Sequence, residues 1–164
     1  MSHSLTASPR AFILATLIAA TTAAVASASS LHLSLPVWAM FIGWIAFFTR
    51  GLNTRSALEN LGCVGLGMTI GVFAALAIPQ VASVAGPTFA LPVVVFVVGF
   101  VVVALRALPV MNNLLGYFLG LVAWFAAHLE PSLHNLLELF SASTIGSAAG
   151  WMSHRITARL ARPA

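Results

Sequence analysis

The chain has 164 residues, 60% of them hydrophobic and only 6% charged, with a mean hydropathy of +1.03. A soluble domain carries about 25% charged residues, and a particle this small has too much surface per volume to hide so much apolar side chain. A soluble globular domain, a disordered chain, a collagen and a disulfide scaffold are thereby excluded, which leaves an integral membrane protein.

Six apolar runs suit a bilayer core, which takes roughly 20 helical residues. The first covers 11–28, after Pro9 and Arg10. The second covers 35–49, with Pro36 near its first turn, where proline is tolerated. The third runs 57–78 and is expected to stop at Pro79. A valine-rich fourth covers 89–105, a fifth 110–128, and a sixth 133–153 ahead of a basic tail. Ala26, Ser27 and Ala28 also resemble a signal-peptide cleavage site, and cleavage there would leave five spans. The first run is nevertheless long enough to span, and an internal repeat uses it.

All seven basic residues are arginine. Arg10, Arg50, Arg55, Arg106, Arg155, Arg159 and Arg162 fall on one face of a six-span topology. The positive-inside rule then makes both termini cytoplasmic. The arginines stand mostly singly between apolar runs, so the clustered footprint of a nucleic-acid binder is missing. Cys63 is the one cysteine, which excludes an intrachain disulfide and suits a small buried hydrophobe.

Setting residue 41 on 118 lays 41–48 (FIGWIAFF) over 118–125 (FLGLVAWF), with four identical positions. After a two-residue slip, 57–61 fall on 136–140, and Gly67 and Gly71 fall on Gly146 and Gly150. The chain therefore reads as three spans (11–78) plus three spans (89–153) in one domain of residues 1–164. An odd number of spans per unit sets the halves in opposite orientations, a plan found in secondary transporters and channels. The expected fold class is all-α: a polytopic bundle of six transmembrane helices with a 3+3 inverted-topology repeat.

Gly67 with Gly71, Gly116 with Gly120 and Gly146 with Gly150 form small-xxx-small faces. Such faces serve helix packing within one chain or a homo-oligomer interface. Ser143, Ser147, Gly150 and His154 lie along one face of the sixth span. They read either as a polar stripe on a solute path or as serines bonded back to their own helix. Glu59 and Glu138 are repeat-equivalent, one turn into their spans. Each suits a helix N-terminus, and Arg55 can pair with Glu59; the other reading makes them gate or proton-handling groups. Trp44 and Trp124 are candidates to wall a constriction, and Asn112 and Asn113 suit an interface. His128, Glu130 and His134 cluster near Glu138, but their spacing around Pro131 does not force a metal site. No hydrolase, metalloprotease, phosphate-loop or dinucleotide motif occurs, so no catalytic residue and no cofactor is expected.

The stretch 36–48 (PVWAMFIGWIAFF), followed by a polar turn and a glycine-rich span, resembles bacterial inner-membrane proteins grouped as domain of unknown function 1097. The run Trp38-x-x-Phe41-x-Gly43 with its later aromatics carries the resemblance, which extends over 31–152. It implies a small multi-span inner-membrane protein with no established activity and supplies no functional residues.

The expectation is a bacterial cytoplasmic-membrane channel or transporter, not an enzyme. Its path would run between helices two, three, five and six. Charge is so scarce that an uncharged or weakly polar solute is expected, with the lipid bilayer as the standing partner. The alternative is a non-transporting scaffold or accessory subunit.

Overall fold

A computed structural model describes residues 9–160, and all their regular structure is helical. The helices are α1 (Pro9–His32), α2 (Val37–Thr49), α3 (Thr54–Ala85), α4 (Pro87–Ala104), α5 (Leu114–Ala127) and α6 (Leu133–Leu160). A 3₁₀ turn, Leu105–Ala107, extends α4. Arg162 lies outside the described residues.

Two boundaries differ from the sequence expectation. Helix α3 runs through Pro79 rather than stopping there, and ends at Gly86, whose φ of +83° suits glycine. Proline removes one backbone donor, and packing on neighbouring helices allows it inside membrane helices. Helix α5 starts at Leu114, because residues 110–113 form an irregular turn in which Met111 is left-handed.

Three helices are long and apolar enough to cross a membrane: α1, α3 and α4 with its 3₁₀ extension. Helices α2 and α5 are apolar but have only 13 and 14 residues. At 1.5 Å per residue they reach about 20 Å, against a hydrocarbon core of about 30 Å. Helix α6 has 28 residues but carries His134, Asn135, Glu138 and several hydroxyls. Its buried face includes Ser143, Ser147 and Ser153, so part of this polarity is turned into the helix packing. The six spans expected from sequence, the second already short at 35–49, are thus three long apolar helices, two short ones and one polar-bearing helix.

Each short helix packs chiefly on the long helix of the other half: α2 on α6, and α5 on α3. Helix α1 flanks α6, and α4 flanks α3. A β-carbon at Gly43 would overlap the Ser143 carbonyl, and one at Gly120 would overlap the Val64 carbonyl. Likewise Gly146 meets the Met40 carbonyl, and Gly67 meets the Tyr117 carbonyl. Gly150 abuts Phe47, and Gly71 abuts Trp124. In these pairs the α2 and α5 residues are related by the register that sets 41 on 118. The α3 and α6 residues are related by the slipped register that sets 57 on 136. Exchanging the halves therefore maps every one of these approaches onto another. The contacts also advance together along both helices, so α2 runs parallel to α6 and α5 parallel to α3. Glycine costs about 1 kcal/mol in a helix interior relative to alanine; here it permits backbone contact that apolar side chains cannot replace in lipid.

The backbone turns repeat as well. Ser34 and Met111, equivalent in the first register, are left-handed at φ 57° and 58°. Gly51 and His128, equivalent in the same register, are left-handed at 84° and 50°. The core inside this frame holds Met40, Phe47, Val64, Met68, Tyr117, Trp124 and Leu139.

Candidate functional site

The two ends of the bundle are built from repeat-equivalent segments but differ in chemistry. At one end α2 stops at Thr49, and α3 begins under an Asn53 cap whose Oδ1 accepts from the Ser56 amide at 2.9 Å. The Arg50 guanidinium donates to Glu59 Oε2 at 3.3 Å and to Asn112 Oδ1. Arg55 Nε donates to Glu59 Oε1 at 2.8 Å. Asn60, fully buried, donates to the Arg50 carbonyl at 2.9 Å and accepts from Asn113 at 2.8 Å. Asn113 also donates to Thr49 Oγ1 at 2.6 Å.

This lattice has a physical cause. Short helices leave irregular backbone between them, and a buried backbone polar group left unpaired is costly. Asn60 satisfies the Arg50 carbonyl, and the Tyr117 hydroxyl donates to the Met111 carbonyl at 2.9 Å. Arg155 and Trp151 join the same end, donating to Thr54 Oγ1 at 3.3 and 3.0 Å. Arg106 sits in the connection that delivers Asn112, and Arg10 opens α1 away from the α1–α2 turn.

At the other end, the α1–α2 connection and the start of α6 enclose a crevice of about 350 Å³. Leu33, Ser34, Leu35, His134, Leu137, Glu138 and Ser141 line it. In the slipped register Glu138 is the counterpart of Glu59, and His134 that of Arg55. The lattice partners have no polar counterparts. In the first register Thr49, Arg50, Asn112 and Asn113 correspond to Ala126, Ala127, Leu35 and Pro36, and in the slipped one Asn60 corresponds to Leu139. Both ion pairs found among the described residues belong to Glu59. Glu138 is half-buried and has no ion-pair partner among them.

The other sequence candidates fall as follows. Ser143 is fully buried, and its Oγ donates to the Ala39 carbonyl of α2 at 2.9 Å. It thus lies in the helix contact and faces no opening. Ser147 lines a shallow groove of about 250 Å³ between α3 and α6, with mostly apolar walls. His154 lies against Phe47, with ring centroids 5.9 Å apart. Trp44 pairs with Phe48 at 6.1 Å, whereas Trp124 is buried against Gly71; in the first register the counterpart of Trp124 is Phe47. A β-carbon at Gly116 would come within 2.8 Å of Cys63 Cβ. All the glycines of the three small-residue motifs are used in packing within the chain. Among the described residues no three His, Cys, Asp or Glu side chains gather as metal ligands.

Sequence reasoning passed over Asn60 and assigned Asn112 and Asn113 to an interface. An asparagine inside an apolar run was the available signal, since polar groups at membrane depth seek partners. The role of Arg50 had no local signal, because its partners Glu59 and Asn112 lie 9 and 62 residues away.

No curated protein and no solved structure shows significant similarity to the chain. The family described as protein of unknown function (DUF1097) matches residues 14–158, most of the length. The chain belongs to that family of proteins of unknown function.

Proposed function

We propose that this protein is a small-solute carrier of the bacterial cytoplasmic membrane, built from two inverted three-helix halves that together make six crossings. The arginine end faces the cytoplasm, with both termini on that side. The solute moves along the seam where α2, α3, α5 and α6 meet. The reciprocal pairing of α2 with α6 and of α5 with α3 supports the inverted plan.

One observation carries the reading. The two corresponding ends differ in closure: one is laced shut by Arg50, Glu59, Asn60, Asn112 and Asn113, and the other, whose corresponding positions are apolar, opens as a crevice at Glu138. An alternating-access carrier in one of its states has one end closed and the other open. The unusually short helices at corresponding places of the two halves also mark where such carriers hold their cargo. Glu59 and Arg50 then act as the inner gate and Glu138 as its outer counterpart.

The test is flux of a panel of small polar solutes into proteoliposomes. Wild-type protein is expected to move at least one, and Arg50→Ala, which unlaces the inner end, is expected to change the rate several-fold. Absence of flux for the whole panel overturns the carrier. The dry glycine packing favours a second reading, a scaffold or accessory subunit, which predicts no flux and stoichiometric co-purification with a partner.

A further inference from the structure

Glu59 and Glu138 occupy the same place in the two halves, yet only Glu59 has cationic partners from the chain. Its carboxylate takes the guanidinium of Arg50, which also reaches the Asn112 side-chain carbonyl, and the guanidinium of Arg55. Around Glu138 the corresponding positions hold Ala127 for Arg50 and Leu35 for Asn112, and His134 stands in for Arg55. The Glu138 end therefore has the carboxylate without the guanidinium and its lattice. Glu138 is half-buried beside Leu35 and Leu137, and apolar surroundings favour pairing a carboxylate with a cation or several donors. Among the described residues, no chain donor forms a hydrogen bond or ion pair with Glu138, and the crevice beside it measures about 350 Å³.

We infer that the Glu138 crevice binds a small guanidinium-type cation, which takes the place that the Arg50 side chain occupies at the opposite end. Glu138 supplies the bidentate acceptor that a planar guanidinium fits. Ser34 and Ser141, both lining the crevice, supply hydroxyl acceptors for the remaining N–H groups. Leu33, Leu35 and Leu137 form apolar walls that suit a weakly hydrated cation over sodium. This site rests on the carrier reading only insofar as the bound cation is then cargo, and it replaces the uncharged solute that scarcity of charge suggested with a charged one.

The experiment is calorimetric titration of the full-length, detergent-purified protein at constant ionic strength. Guanidinium chloride in the millimolar range is compared with methylammonium chloride and sodium chloride. Wild-type protein is expected to bind guanidinium at least ten-fold more tightly than either comparison ion. Glu138→Gln is expected to weaken binding at least ten-fold, while Glu130→Gln, which removes an equal charge from the neighbouring loop, changes it less than two-fold. Ser141→Trp fills the crevice from its exposed rim and serves where Glu138→Gln fails to fold; it too is expected to abolish binding. Equal responses to guanidinium and sodium, or wild-type affinity in Glu138→Gln or in Ser141→Trp, overturn the site. Binding without flux keeps the site and overturns the carrier. Flux of neutral solutes without guanidinium binding does the reverse.

Discussion

Gly43 of α2 lies so close to Ser143 of α6 that a β-carbon on the glycine would overlap the serine carbonyl oxygen. Gly120 stands in the same relation to Val64. The blocking atom in both cases is backbone, which cannot swing aside. Gly43→Ala and Gly120→Ala are therefore expected to destabilise the protein by about 1–3 kcal/mol each, the usual range for overpacking. Gly99→Ala meets nothing within 4 Å and is expected to be neutral or slightly stabilising, since alanine is the better helix former. Thermal unfolding in detergent reads all three, and equal melting points for Gly43→Ala and Gly99→Ala would refute the close approach.

The Asn60 side chain supports two irregular segments at once, through the Arg50 carbonyl and the Asn113 amide. Asn60→Leu copies the residue at the equivalent position, Leu139, but leaves the Arg50 carbonyl without its side-chain donor and Asn113 with Thr49 alone. A cost of about 1–3 kcal/mol is expected, the range for an orphaned buried polar group. An unchanged melting point would show that water or other groups replace it.

Two arginines share Glu59, and their exposure separates them. The Arg55 side chain is 80% exposed and sits one helical turn away, whereas that of Arg50 is 38% exposed and also holds Asn112. A double-mutant cycle is expected to give about 0.3–0.5 kcal/mol for the exposed Arg55–Glu59 pair. The Arg50–Glu59 coupling should exceed it and should weaken less in high salt, because partly buried pairs are screened less. The opposite ranking would remove Arg50 from the centre of the lattice.

His128 closes α5 in the left-handed conformation, φ 50°, where its repeat counterpart Gly51 needs no accommodation for a side chain. The histidine side chain is partly solvent-facing, so His128→Gly should relieve backbone strain without opening a cavity. A gain of up to about 1 kcal/mol is expected in unfolding measurements. A loss of stability would mean that the imidazole makes a contact worth more than the strain.

Topology is checked with reporter fusions after residues 52, 108 and 160. If the arginine end is cytoplasmic, all three report the cytoplasm, and fusions after residues 34 and 130 report the opposite side. A fusion after residue 160 that reports outside would overturn the proposed orientation.

Composition was enough to place the chain among membrane proteins, because 60% apolar residues cannot be hidden from water in a particle of this size. The recurrence of 41–48 at 118–125, and of Gly67 and Gly71 at Gly146 and Gly150, was also legible, as were the helices themselves. These are local or periodic signals, and they survive whatever the helices do in space. Which helix each glycine faces was not legible. Only the tertiary structure pairs Gly43 with α6 and Gly120 with α3, since that choice sums many small dispersion contacts between distant segments. The start of α5 was likewise decided there, by the turn at Met111. The difference between Glu59 and Glu138, identical residues at equivalent positions, also came from the fold. A carboxylate's chemistry depends on what reaches it, and Arg50 and Asn112 arrive only when three segments of the chain converge.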